Sequence, residues 1–462
     1  MTYPESGAHK VATFIAETEY RDIPKKAILA AKHAILDWTG VAILGAEAPA
    51  VKIVAEYALG LGARGEASVI CRETMTSAEL AALVNGTAGH ALDFDDTFAN
   101  AVRYNMHSTA CILPAVLALI EARGLKGREL LTAYVVGTEI TYRIGAAIGQ
   151  PLAAANWHPT PVLGTIGAAA AGAKALRLDA GAAAWATGIS ASLAGGLMKN
   201  FGTMTKMMHA GNGARNGVIA ASLAQRGLTA DELVAEGDYN FCEAFSQGRV
   251  KGLMGADEDL GREWFILSKG FGFKPYPSCR ATHAGIDAAL QLRKRYGFRP
   301  DEVESVTCRI NPLVSRVAGF RRPLSGYEAK FSIDYCIARA LVDGEIRLDH
   351  FKDEKVKEEA CEDLLGKINL EHPDGWGRGA VDLLTEIVIT LKNGPSYSER
   401  VAAPRGEPEN PMSEEELVNK FRQCSEGVLG EKQAERLVDA ILHLEKIEDM
   451  SGFFEILRNR RV

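Results

Sequence analysis

Gly86-Thr87-Ala88-Gly89-His90-Ala91-Leu92-Asp93-Phe94-Asp95-Asp96-Thr97 gathers three carboxylates, a hydroxyl and an imidazole straight after an apolar, helix-like run. Carboxylates this close cannot all ionise cheaply in a dry site. One of them is expected to have a raised pKa and to serve as a general acid or base. A solvated, capped helix end has the same composition, so the residues further along decide between the two. His107 stands in Asn105-Met106-His107-Ser108-Thr109, at the start of another apolar helix. His158 precedes Pro159, which suits a first helical turn, so His158 is expected at the cap. The positive end of the helix dipole there disfavours imidazolium and suits a neutral base. Lys206 lies among Thr, Met and Gly rather than among other charges, as a lysine that binds a carboxylate or protonates a carbanion would. Phe273-Lys274-Pro275-Tyr276-Pro277-Ser278-Cys279-Arg280-Ala281-Thr282-His283 offers Arg280 as a carboxylate clamp. Cys279 and His283, four apart, would share a helix face; a Cys–His nucleophile pair is the weaker alternative.

The acidic run also fits DxDxT, a phosphatase nucleophile pattern. That chemistry needs a β-branched strand before the first Asp, whereas Leu80 to Leu92 is rich in Ala and Gly and reads as helix. A prenyl-synthase role would need a second acidic motif to hold magnesium, and the sequence has none.

These groups must be positioned by a chain of 462 residues, long enough for two domains. Residues 1–265 read as helix after helix. Asp22 before Ile23-Pro24 suggests a cap, and Thr76-Ser77-Ala78-Glu79 and Thr229-Ala230-Asp231-Glu232 read as capping boxes. The Ala- and Gly-rich stretch from Val162 to Gly196 predicts helices packed at close range. Residues 266–402 read as a smaller α+β domain. Strands are expected at 304–310 and 385–391, and helices at 281–296, 328–341 and 353–365. Residues 403–462 open on a Pro- and Gly-containing linker, after which Ser413-Glu414-Glu415-Glu416 is expected to cap a return to helix that packs back on the helical domain. The fold class is therefore mainly α, with an inserted α+β second domain.

Apolar content of 47% and charge of 24% are those of an ordinary soluble enzyme. A net charge of −7 leaves no basic footprint, so nucleic acid is not an expected partner. The eight cysteines are scattered without metal-ligand spacing, which predicts reduced thiols, no metal site and a cytoplasmic location. No signal peptide or membrane-spanning run is visible.

Several blocks, in this order, resemble the MmgE/PrpD family: GTAGHALDFDDTF from Gly86, HSTACILPAVLAL from His107 and HPTPVLGTIGAAAAGAKAL from His158. GTMTKMMHAGNGARNG from Gly202, KPYPSCRATHAGIDAAL from Lys274 and YEAKFSIDYCIA from Tyr327 complete them. The family includes 2-methylcitrate dehydratases, cis-aconitate decarboxylases and iminodisuccinate epimerases. The resemblance implies a helical domain built from both chain ends, an α+β lid, a homodimer and a cofactor-free site between the domains. By motif match that site comprises Asp93, Thr97, His107, His158 and Lys206, with His283 on the lid. Phe94-Asp95-Asp96-Thr97 and Ser278-Cys279-Arg280 depart from the dehydratase pattern and resemble the decarboxylase and epimerase branch more.

The chemistry common to such enzymes moves a proton at a carbon next to a carboxylate. Cationic groups must neutralise the developing charge, and acid and base groups must flank the carbon. The expected roles are His107 and His158 as acid/base groups, Lys206 for charge or protonation, and Asp93 to orient a histidine. Thr97, Asp96, Arg280 and His283 are expected to bind substrate. The expected activity is a cofactor-independent lyase on a small di- or tricarboxylate. The alternatives are an epimerase and a non-catalytic polycarboxylate-binding dimer.

Overall fold

The computed structural model describes residues 6–98, 106–376 and 384–459. The chain is mainly helical. Its larger hydrophobic core gathers side chains from Val11 to Phe271 and again from Leu417 to Leu457. A second core gathers side chains from Cys279 to Val401.

Close helix packing in the first core depends on missing side chains. A Cβ on Gly86 would lie 2.7 Å from the Cα of Gly211, and one on Gly211 would lie 2.1 Å from the Leu83 carbonyl oxygen. The helices Ala78–His90 and Met204–Gln225 therefore touch backbone to backbone. That contact sets the acidic turn after His90 beside Lys206. The helix Lys25–Gly45 is long and apolar enough to cross a membrane, but 78% of its apolar window is buried within the protein.

In the second core, strands Val303–Ile310 and Thr385–Leu391 pair antiparallel, flanked by Ile368–Glu371 and Ser396–Val401. Every other residue of the two central strands is buried (Val306, Cys308 and Ile310 facing Ile387 and Ile389), and the helix His283–Tyr296 packs on the sheet. The helix Glu414–Leu429 then packs on Lys25–Gly45, where Lys420 meets the buried Asp37 at 2.6 Å.

Ser413 and Glu416 form the expected capping box. The other proposed caps differ. Asp22 turns back to the Glu19 amide at 2.8 Å, and Pro24 is the residue before the helix. Ser77 does precede a helix, but its hydroxyl donates to Glu79 at 2.7 Å instead of capping it. Asp231 accepts from the Leu233 amide at 2.8 Å in a local turn, so no helix starts there. The run expected as 328–341 is two helices, Gly326–Ala329 and Ile333–Asp343, because Ser332 caps the second. Likewise 353–365 divides into Asp353–Val356 and Glu359–Leu365. Strands Ile368–Glu371 and Ser396–Val401 were not expected. They border the sheet, and their outward positions carry no apolar alternation to read.

Candidate active site

The site is built on the turn that follows Ala78–His90. Asp93 adopts the left-handed region, φ +51°, which short polar side chains tolerate better than others and which concentrates at functional sites. Thr97–Phe98 then pairs antiparallel with Phe271–Gly272, and the Phe98 amide donates to the Met106 carbonyl at 2.9 Å. The first pairing carries Lys274 to the turn; the second brings His107 back to it.

Asp93 is the hub. Its carboxylate accepts from Lys206 Nζ at 3.0 Å and from Lys274 Nζ, and Lys274 Nζ also donates to the Asp93 carbonyl at 2.9 Å. Burial pushes this carboxyl up, but the two ammonium groups outweigh it and hold it well below the usual range. His107 Nε2 lies 3.8 Å from Asp93 Oδ1. All four side chains are at most 2% exposed.

Behind His107 sits Asp95, with Oδ2 2.9 Å from both His107 Nδ1 and His90 Nδ1. Burial opposes ionisation of Asp95, yet the two imidazoles favour it and the carboxyl is held well below its usual range. The same burial drives His107 down to about 3 and lowers His90, so both rings are neutral near pH 7. Among the described residues, these three form the one His/Asp group whose donor atoms lie within 4.8 Å of one another, close enough to share a cation.

His158 occupies the position before the helix Pro159–Ala175 without a side-chain bond to its first turn, and its ring Nδ1 is 3.1 Å from His209 Nδ1. Burial, then the charge of Lys206, holds His158 well below 6.5. The sequence expected a neutral His158 from the helix dipole; burial is the larger cause. Ring centroids run from His107 to His90 at 4.4 Å, His90 to His158 at 6.2 Å and His158 to His209 at 5.4 Å. Phe201 and Phe331 wall the lysine side, their ring centroids 5.9 and 5.2 Å from Lys206 Nζ.

Lys330 arrives from the second core. Its ammonium donates to the Leu92 carbonyl and, at 2.8 Å, to the Pro277 carbonyl. Burial, against the pull of Asp93, lowers it to about 7.

Asp93, His107, His158 and Lys206 thus lie in one buried cluster. The other four candidates have partners of their own. The Thr97 hydroxyl donates to the Gly272 carbonyl at 3.4 Å. Asp96 accepts from Thr109 at 2.8 Å; burial and the neighbouring Asp37 raise it well above the usual range. It is the raised carboxyl that the acidic run predicted, but its hydrogen bond goes to Thr109, which in turn meets the Tyr134 hydroxyl at 2.6 Å, and its charged neighbours are Asp37, Asp95 and Lys420. The Arg280 guanidinium makes two bonds to the Glu407 carboxylate, so the expected clamp on substrate is closed on a protein carboxylate instead. His283 Nε2 donates to the Ser278 carbonyl at 3.2 Å, and its ring packs edge-on to Tyr276. Burial raises the Cys279 thiol, which removes the thiolate that a Cys–His pair would need.

Sequence reasoning missed Lys274, Lys330, His209 and the roles of His90 and Asp95. The criterion applied to Lys206, a lysine among uncharged neighbours, applies equally to Phe273-Lys274-Pro275 and Ala329-Lys330-Phe331.

Two family models match this chain. The MmgE/PrpD N-terminal domain matches residues 9–253, and the MmgE/PrpD C-terminal domain matches residues 276–446. The chain is 33% identical over 448 residues to the cis-aconitate decarboxylase of Mus musculus, covering 93% of this chain and 89% of that protein. It is 31% identical to the Homo sapiens protein of the same name, covering 97% and 93%. It is 28% identical to that of Aspergillus terreus, covering 94% and 92%.

Proposed function

The chain belongs to the MmgE/PrpD family, and on that premise we propose that it is a lyase that decarboxylates a small tricarboxylate, with cis-aconitate as the first candidate. One observation carries this: Lys206 and Lys274, from separate elements, converge on Asp93 in a buried region with a neutral imidazole nitrogen 3.8 Å away. Such a site offers fixed positive charge and direct proton transfer from a side chain to the substrate, which decarboxylation next to a second carboxylate demands.

In cis-aconitate the CH2–carboxylate bond breaks and releases carbon dioxide. Its electron pair forms a new terminal double bond, and the old double bond shifts its pair onto the CH carbon. That carbon is conjugated with its own carboxylate, so the intermediate is a dienolate. Lys206 and Lys274 neutralise it, and one proton, supplied by a histidine of the cluster or by Lys206, ends the reaction. Asp93 holds the two ammonium groups together; without it they would repel in a dry site. The scheme needs no metal or organic cofactor. Residues 266–402 act as the lid, bringing Lys274 and Lys330 to the turn, with His283 behind them. Thr97, Asp96 and Arg280 serve the frame.

Incubating the purified protein with cis-aconitate, citrate and 2-methylcitrate and weighing the products tests this. Loss of carbon dioxide from cis-aconitate supports the proposal. Loss of water from another acid would make the protein a dehydratase, and unchanged mass with deuterium uptake an epimerase.

A further inference from the structure

The scheme above leaves His90 without a role, although it is fully buried. Its Nδ1 lies 2.9 and 3.1 Å from the two Asp95 oxygens, and Oδ2 also bonds His107 Nδ1. An ionised carboxylate only accepts hydrogen bonds, so both imidazoles must offer Nδ1–H. A neutral ring protonated there has a bare Nε2. In His107 that bare nitrogen is the one nearest Asp93, and the 3.8 Å between them is the spacing of two acceptors, not of a hydrogen bond. His90 Nε2 has no hydrogen-bond partner among the described residues, so His90 engages the network through Asp95 alone.

We infer that His90 is a positioning residue: it shares Asp95 with His107, and Asp95 thereby fixes His107 with its proton on Nδ1 and Nε2 as the atom that exchanges a proton with substrate. The inference rests on the lyase reading and adds the atom and its support. Decarboxylation of a tricarboxylate trianion to a dicarboxylate dianion and carbon dioxide consumes one proton. His107 Nε2 takes it from solvent water as the anionic substrate arrives. Asp95 supports the imidazolium, and the Nε2–H proton passes to the carbanionic carbon, which restores the bare nitrogen. The groups that face His107 are Asp93, Asp95, His90, His158 and Lys274.

The test compares His90→Asn, whose amide N–H still reaches Asp95, with His90→Leu, which has no donor. Side-chain nitrogen NMR on the substrate-free wild type reads the tautomer directly. The expected results are Nδ1–H on His107 and a kcat for His90→Leu lower by about tenfold or more, with KM little changed. His90→Asn should recover most of that loss. In His90→Leu the alkaline limb of kcat should move to higher pH, because Asp95 with one donor fewer holds the His107 proton more tightly. Three results would overturn the inference. One is Nε2–H on His107. Another is equal loss in both variants with unmoved pH limbs, which marks a merely structural residue. The third is a metal ion retained by these three side chains, which would take the Nδ1 lone pairs. A wild type inert toward cis-aconitate would count against the decarboxylase alone, and the NMR, which needs no substrate, would still decide the tautomer.

Discussion

Lys274 grips Asp93 at both ends, through its carboxylate and, at 2.9 Å, through its backbone carbonyl. One ammonium group therefore bonds two acceptor atoms of a residue held in the left-handed region and ties the acidic turn to the segment that opens the second core. Removing it should be costly twice over. Lys274→Met is expected to lower kcat by about 10²–10³-fold, the usual cost of losing one fixed charge-stabilising donor. It should also cost about 3 kcal/mol of stability, the lower end for breaking a buried pair, because Lys206 remains. Urea unfolding beside steady-state kinetics checks both; wild-type stability would contradict the hub role.

Asp96 was a candidate substrate ligand, and its surroundings argue otherwise. Burial and the neighbouring Asp37 raise its pKa well above the usual carboxylate range, and its Oδ1 has no hydrogen-bond partner among the described residues. The folded value is raised, so the group destabilises the protein as pH rises above the unfolded value. Asp96→Asn removes that penalty. It should leave KM within about twofold and keep or raise stability at pH 8, since an amide has no buried charge to form as pH rises. A large rise in KM would return Asp96 to the binding site.

The buried histidines set the acid limit of the fold. Burial holds His107, His209 and His283 at about 3, 4 and 3. The unfolded chain takes up these protons near pH 6.5 and the folded chain does not. Below pH 6.5 the unfolded state therefore binds more protons, and stability falls by at most about 1.4 kcal/mol per pH unit for each histidine. Asp93 and Asp95, whose folded values are depressed, add losses of the same sign only below about pH 4. Denaturation midpoints at pH 7.5, 6.5 and 5.5 should decline below 6.5, and His209→Gln should soften the slope. A flat profile to pH 5 would contradict the neutral, buried assignment.

How far the sequence shows this site depends on what each residue's neighbours reveal. His158 could be read because Pro159 fixes a helix start, and the strands 304–310 and 385–391 because burial on one face imposes alternation. Lys206 could be read because it lacks charged neighbours. The meeting of Lys206, Lys274 and Lys330 around one turn could not, because they are distant in the chain and joined only through tertiary packing. The partner of Arg280 was hidden for the same reason: nothing near it in sequence indicates Glu407.

The Arg280–Glu407 pair is nearly buried, with side chains 12% and 8% exposed. A double-mutant cycle with Arg280→Gln and Glu407→Gln should give a coupling of about 1–3 kcal/mol. Arg280→Gln alone should destabilise the protein while leaving KM for cis-aconitate little changed. A selective rise in KM, with weak coupling, would instead make Arg280 a substrate clamp.

The most direct test of the central claim is turnover of cis-aconitate in deuterated water by the wild type and by Lys206→Ala. The prediction is release of carbon dioxide with one solvent deuterium fixed on carbon in the product, and loss of both signals by about 10²-fold or more in the variant. Carbon dioxide release that persists in Lys206→Ala, or a wild type that exchanges deuterium without losing carbon dioxide, would contradict it.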